Sequence, residues 1–240
     1  MPTPSPLRLR LGAVALATSA LLFAAFPLVR PFFTLDVFSP TLAAVASGPL
    51  ASPPWVVAHL GLTLAFALLP VGLLAVYATI ADSPSEPRAF RGTLLGVLGI
   101  ALVLPTVGVE TYTMPVIGRL YLEGAEAIGP ALARIYRGPA TLVMLVGLLL
   151  LGVGVVLLAR AVSRSGRLPR GAAIGLATGL ALWLPLLPRP IRVVDGLMIG
   201  LGGVWLAWGI WRETLDRAAG GASAPSAARV LERAGSIAGR

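Results

Sequence analysis

WVVAHLGLTLAFALLPVGLLAVYATI, the stretch Trp55–Ile80, carries no Asp, Glu or Arg and is apolar on every side of a helical wheel. It exceeds the ~20 residues that an α-helix needs to cross ~30 Å of hydrocarbon. A helix apolar all round belongs in a core or in lipid, not on the surface of a small soluble domain. Five further segments read the same way: Leu11–Val29, Gly92–Tyr112, Ala140–Ala159, Gly171–Leu187 and Val193–Trp211. The fifth in chain order, Gly171–Leu187, is the shortest and ends among Pro185, Pro188 and Pro190, so it is expected to form a tight hairpin with the sixth.

Composition agrees. The chain has 240 residues, 57% hydrophobic and 12% charged, with mean hydropathy +0.88, whereas soluble domains run near 45–50% apolar and about 25% charged. In lipid, backbone polar groups must be satisfied within the spanning element, which leaves helices or closed barrels. The runs are long and unbroken rather than alternating, so helices are expected. The fold class is thus all-α, a polytopic bundle of six transmembrane helices within residues 1–211, followed by a basic, disordered cytoplasmic tail over 212–240. The first segment follows Arg8 and Arg10 in the manner of a signal peptide, but its length favours a retained helix.

The arginines orient the bundle. With the N-terminus inside, Arg8, Arg10, Arg88, Arg91, Arg160, Arg164, Arg167, Arg170 and the five arginines from Arg212 onward face the cytoplasm. Arg30, Arg119, Arg134, Arg137, Arg189 and Arg192 face outward. The positive-inside rule then predicts both termini in the cytoplasm, and the cell membrane, in a bacterium the inner one, as the location. Trp208 and Trp211 fall at the inner interface and Trp55 at the outer one. Pro31–Pro54, with Phe32, Phe33 and Phe38, is expected to be an outer loop lying on the headgroups. Met114–Arg137 is expected to hold a short interfacial helix. Matching Gly, Ser, Arg-Gly and Leu-Pro positions around Val71–Pro105 and Val153–Pro185 suggest a parallel internal repeat.

Absent residue types exclude chemistry. The chain has no Cys, Lys, Asn or Gln, and one His. That removes disulfides, thiolate nucleophiles and iron–sulfur clusters, Schiff-base chemistry, and multi-histidine metal or haem centres. No cofactor is expected, and no catalytic residue or metal site is assigned. The +9 net charge sits at helix ends and is no sign of nucleic acid. The expected partners are the lipid bilayer and either partner membrane subunits or further copies of the chain.

Ionisable groups at membrane depth are costly and therefore informative. His59, Glu110 and Asp195 stand at a similar depth near the outer ends of three helices, with Tyr112, Arg119, Arg192 and Trp183 at the same level. They define a candidate outward-facing polar pocket, in which His59 and Glu110 are expected to face each other. The plainer reading pairs Glu110 with Arg119 and Asp195 with Arg192 among the headgroups. Pro70 and Pro105 break two helices in mid-membrane. Small residues at Ala13, Ala17, Ala20 and Ala24, at Gly92 and Gly96, and at Gly171, Gly175 and Gly179 mark close helix contacts. The function expected is a small-solute permease or solute-binding membrane component; the alternative is a non-transporting structural or regulatory membrane protein. Enzyme signatures are missing.

Overall fold

The computed structural model describes residues 5–33, 36, 38–184 and 187–238, and among these it is helical with no strand. The elements are α1 (Pro6–Val29), α2 (Leu42–Ala51), α3 (Pro53–Ile80), α4 (Glu86–Gly108), a π-helical turn (Val109–Thr113), α5 (Met114–Leu122), a 3₁₀ turn (Glu126–Ile128), α6 (Gly129–Arg137), α7 (Pro139–Ser165), α8 (Arg170–Ala181) and α9 (Arg189–Ala238). Prolines open several of them, where the missing N–H costs nothing: Pro6, Pro53 and Pro139 each stand at a first helical position. Gly166, at φ +68°, supplies the left-handed residue that closes α7.

Five stretches are long and apolar enough to cross a bilayer: Pro6–Val29, Pro53–Ile80, Glu86–Leu122, Glu126–Ser165 and Arg189–Arg217. The expected fifth segment is not among them. Its helix, α8, has 12 residues, about 18 Å at 1.5 Å per residue. The residue before a proline avoids the α region, and α8 stops short of the Leu184-Pro185 pair; Pro185 itself lies outside the described residues. The two stretches expected to lie outside the membrane hold more helix than the sequence suggests. The Pro31–Pro54 loop contains α2, and Met114–Arg137 holds two helices, α5 and α6, not one. Beyond Arg212, where composition suggests irregular chain, α9 continues to Ala238.

Small residues set the packing. A Cβ on Gly99 would stand 2.5 Å from the Gly147 carbonyl oxygen, and one on Gly154 would stand 2.5 Å from the Gly96 nitrogen, so α4 and α7 touch backbone to backbone. On α9, Gly200 and Gly203 meet Ala24 and Ala20 of α1, and Gly202 meets the backbone of α8 at Leu176. Where lipid removes the hydrophobic drive between helices, such contacts gain dispersion instead. A second, smaller cluster at one end docks α2 on α5 around Leu50, Trp55, Met114, Ile117 and Leu132.

Polar contacts identify the two ends of the bundle. At one, Arg10 Nε donates to Thr214 Oγ1 (3.2 Å), Arg217 Nη2 donates to the Thr79 carbonyl (3.0 Å), and Arg167 pairs with Asp82. Both α1's start and residues 212–217 of α9 therefore lie at this end. The opposite end carries Arg30, Trp55, Glu110, Tyr136, Trp183 and Arg192.

A candidate polar site at one end of the bundle

The site is organised by a helix defect whose cause is local. Pro115 has no N–H. In an α-helix the Glu110 carbonyl would accept from Met114 N–H, but that donor goes to Val109 O, five residues back. In this π register the next donor for Glu110 O would be residue 115, which is proline. The carbonyl is left without a backbone partner, and the indole Nε1–H of Trp55 supplies one at 2.9 Å. Single π turns inside α-helices occur often at functional sites.

Trp55 is therefore no interfacial belt residue: it is fully buried (0% exposed). Its indole stacks on His59 (centroids 4.1 Å, 28° between planes), and the edge of the same imidazole meets Phe26 at 5.2 Å. His59 Nδ1 lies 2.8 Å from the Trp55 carbonyl oxygen. A carbonyl only accepts, so Nδ1 carries the proton, and in the neutral ring Nε2 keeps a lone pair. The His59 carbonyl accepts from Thr63 Oγ1 (2.8 Å) and, more weakly, from Thr111 Oγ1 (3.4 Å) of the π turn. Those bonds clamp α3 to the defect.

Two cavities meet at Glu110. The smaller, about 50 Å³, is bounded on its polar side by Arg30, His59, Glu110, Trp183 and Arg192, and holds on the order of a few waters or one small ion. The larger, about 180 Å³, lies between the π turn and α6–α7, with Pro105, Met114 and Val143 in a mostly apolar wall. Tyr136 also lines it, and its hydroxyl donates to Glu110 Oε2 at 3.3 Å.

The cations are held by aromatic faces. The Arg30 guanidinium stands 4.6 Å from the Trp55 ring centroid and 5.0 Å from Phe32. That of Arg192, a residue 3% exposed, stands 4.2 Å from Trp183 and 5.7 Å from Phe26. Its Nη1 donates to the Leu184 carbonyl (3.1 Å), which lies beyond the end of α8 and also accepts from the Leu187 N–H (3.2 Å). Among the described residues neither guanidinium has a carboxylate within 4.0 Å. Asp195, one turn along α9 from Arg192 and 3% exposed, leaves Oδ2 with no hydrogen-bond partner.

Of the residues singled out from the sequence, His59, Glu110, Trp183 and Arg192 line one cavity. His59 and Glu110 share it without a hydrogen bond between them. Asp195 stands beside it, buried, off the lining. Tyr112 is 63% exposed and turns away, and Arg119 is exposed on α5 and forms no ion pair with Glu110 among the described residues. Sequence reasoning missed Arg30 and Tyr136. Arg30 had a signal, its neighbours Phe26, Phe32 and Phe33; Tyr136 had none, since it reaches Glu110 across 26 positions. No group of three or more His, Asp or Glu among the described residues is arranged to hold a metal. Compared with protein-family models, curated proteins and solved structures, the chain matches none.

Proposed function

We propose that this membrane protein binds a small anionic solute in the Arg30–His59–Glu110–Arg192 cavity, as a permease or a solute-binding membrane component. The observation that carries the proposal is two guanidinium groups lining one cavity between helices long and apolar enough to cross a membrane, neither within ion-pair distance of a carboxylate. Buried charge left apart in lipid is expensive and is found where ions or solutes pass. A carboxylate or comparable oxyanion between the two guanidiniums would remove that cost. His59 Nε2 and the Glu110 carboxyl supply acceptor and proton-exchange groups at the same wall.

The proposed topology is six passes with both termini cytoplasmic. It is supported by the arginine distribution, by the place of α8 between α7 and α9, and by the Leu184 carbonyl finding a side-chain donor. Non-helical backbone at membrane depth is tolerated where protein or a cavity satisfies it.

A second reading is favoured by Arg192's own contacts: stacked on Trp183 and bonded to Leu184 O, it closes the bundle without binding a solute. Fluorescence of the purified chain separates the two, because Trp55 and Trp183 flank the cavity. Titration with acetate, benzoate and phosphate is expected to change tryptophan emission saturably with at least one probe, and Arg192→Gln to abolish the change. Silence toward all three probes, together with an Arg192→Gln variant less stable than the parent, would overturn solute binding in favour of closure.

A further inference from the structure

At the opposite end of the bundle lies the largest cavity described, about 590 Å³, between the start of α4, the end of α7 and the start of α8. Arg88, Arg160, Arg164 and Arg170 line it, and no acidic residue does. Among the described residues none of these guanidiniums forms an ion pair; of the acidic residues at this end, Asp82 pairs with Arg167, Glu213 pairs with Arg217, Glu86 accepts from the Tyr77 hydroxyl (2.7 Å), and exposed Asp216 lies off the lining. We propose that this cavity is a binding site for an anionic phospholipid.

The arrangement has a head and a tail. Arg164 lies in the last turn of α7, Arg170 is the first residue of α8 and Arg88 stands in the first turn of α4. Arg160 sits one turn deeper than Arg164 on the same face. Beyond it the lining carries no charge and is mostly apolar, with Val156 on α7, Ile174 and Ala177 on α8, and the single hydroxyl of Thr178. Charge at the bundle end, giving way to apolar wall along the helices, matches a phosphate group with an acyl chain below it. Guanidinium forks bind phosphate oxygens bidentately, and basic pockets between transmembrane helices recognise acidic headgroups. A zwitterionic lipid fits less well, because the lining contains no carboxylate to receive its ammonium group.

The test uses the full chain, purified and delipidated in a neutral detergent, with phosphatidylglycerol, phosphatidylcholine of the same acyl composition, and inorganic phosphate as probes. Phosphatidylglycerol is expected to raise the melting temperature, and the other two are not. In R160Q/R164Q the phosphatidylglycerol affinity is expected to fall on the order of tenfold or more. R91Q/R212Q removes two exposed arginines outside the cavity, and it should keep the parent response. If R160Q/R164Q does not fold, R164Q is tested alone by counting bound phosphatidylglycerol in native mass spectra, where occupancy should drop. The proposal is overturned if the cavity variants keep the full response, if R91Q/R212Q loses as much, if phosphatidylcholine stabilises equally, or if phosphate alone reproduces the effect.

Discussion

Trp55 ties three features of the polar site together: the orphaned Glu110 carbonyl, the face of His59 and the Arg30 guanidinium. Removing its N–H while keeping an aromatic ring isolates the first. Trp55→Phe leaves a buried carbonyl unpaired, which costs about 1–3 kcal/mol, and the melting temperature in detergent should fall accordingly. Pro115→Ala restores the N–H that the π register lacks, so Trp55→Phe/Pro115→Ala should lose less than Trp55→Phe alone; strictly additive losses would refute the account of the defect. A second residue-scale expectation concerns the loop pair at the other end. Hydrogen bonding to Arg167 holds the Asp82 carboxyl below its ordinary value of 3.8. The folded state is the one with the lower value, so the contribution is present above pH ~4 and is lost as pH falls through the folded-state value. Asp82 is 65% exposed and such pairs contribute little. Asp82→Asn should therefore leave stability at pH 7 nearly unchanged and slightly flatten its decline between pH 4 and 2, as acid melts would register.

Helices make their demands through glycine. Gly154 faces Gly92 and Gly96 so closely that a methyl group must push α7 off α4, and overpacking of this kind costs about 1–3 kcal/mol. Gly154→Ala should lower thermal stability, whereas Gly108→Ala, with open space around its Cβ position, should leave it unchanged or raise it by up to about 1 kcal/mol. Equal effects at the two positions would mean that helix propensity, not contact, governs. At this scale the sequence is only partly legible. Length and apolarity are additive along a chain, so the cores of α1, α3, α4, α7 and α9 could be read directly. The end of α8 depends on how Leu184-Pro185 is accommodated, and α2, α5 and α6 gain their helical form by packing on one another around Leu50 and Leu132; neither is a property of a local window. Within the Val71–Pro105 and Val153–Pro185 similarity, Gly92 of α4 abuts α7 and its counterpart Gly171 of α8 abuts Trp205 of α9.

For the whole molecule, the candidate site follows the same division. Depth along a helix is a count of residues, and His59, Glu110, Trp183 and Arg192 do reach one cavity. Rotation about the axis is not such a count, and Tyr112, which shares that depth, faces away. The ends of the bundle yield the decisive topological expectation. The chain has no cysteine, so single cysteines can be placed without removing native ones. With a membrane-impermeant maleimide, Glu123→Cys and Arg189→Cys should label in intact cells, and Ser83→Cys and Arg212→Cys only after the membrane is opened. Labelling of Arg212→Cys from outside, with Arg189→Cys protected, would mean that α8 turns back without crossing and that the chain makes five passes.

The π turn has a consequence for ancestry. A π turn is an α-helix with one residue too many. A homologue one residue shorter between Val107 and Glu110 would run an unbroken α-ladder there, return the Glu110 carbonyl to the Met114 N–H and release the indole that now serves it. The carboxylate would leave the wall shared by the two cavities. Presence or loss of the site among descendants of a common gene is therefore written as a single-codon gap, visible in an alignment before any side chain is compared.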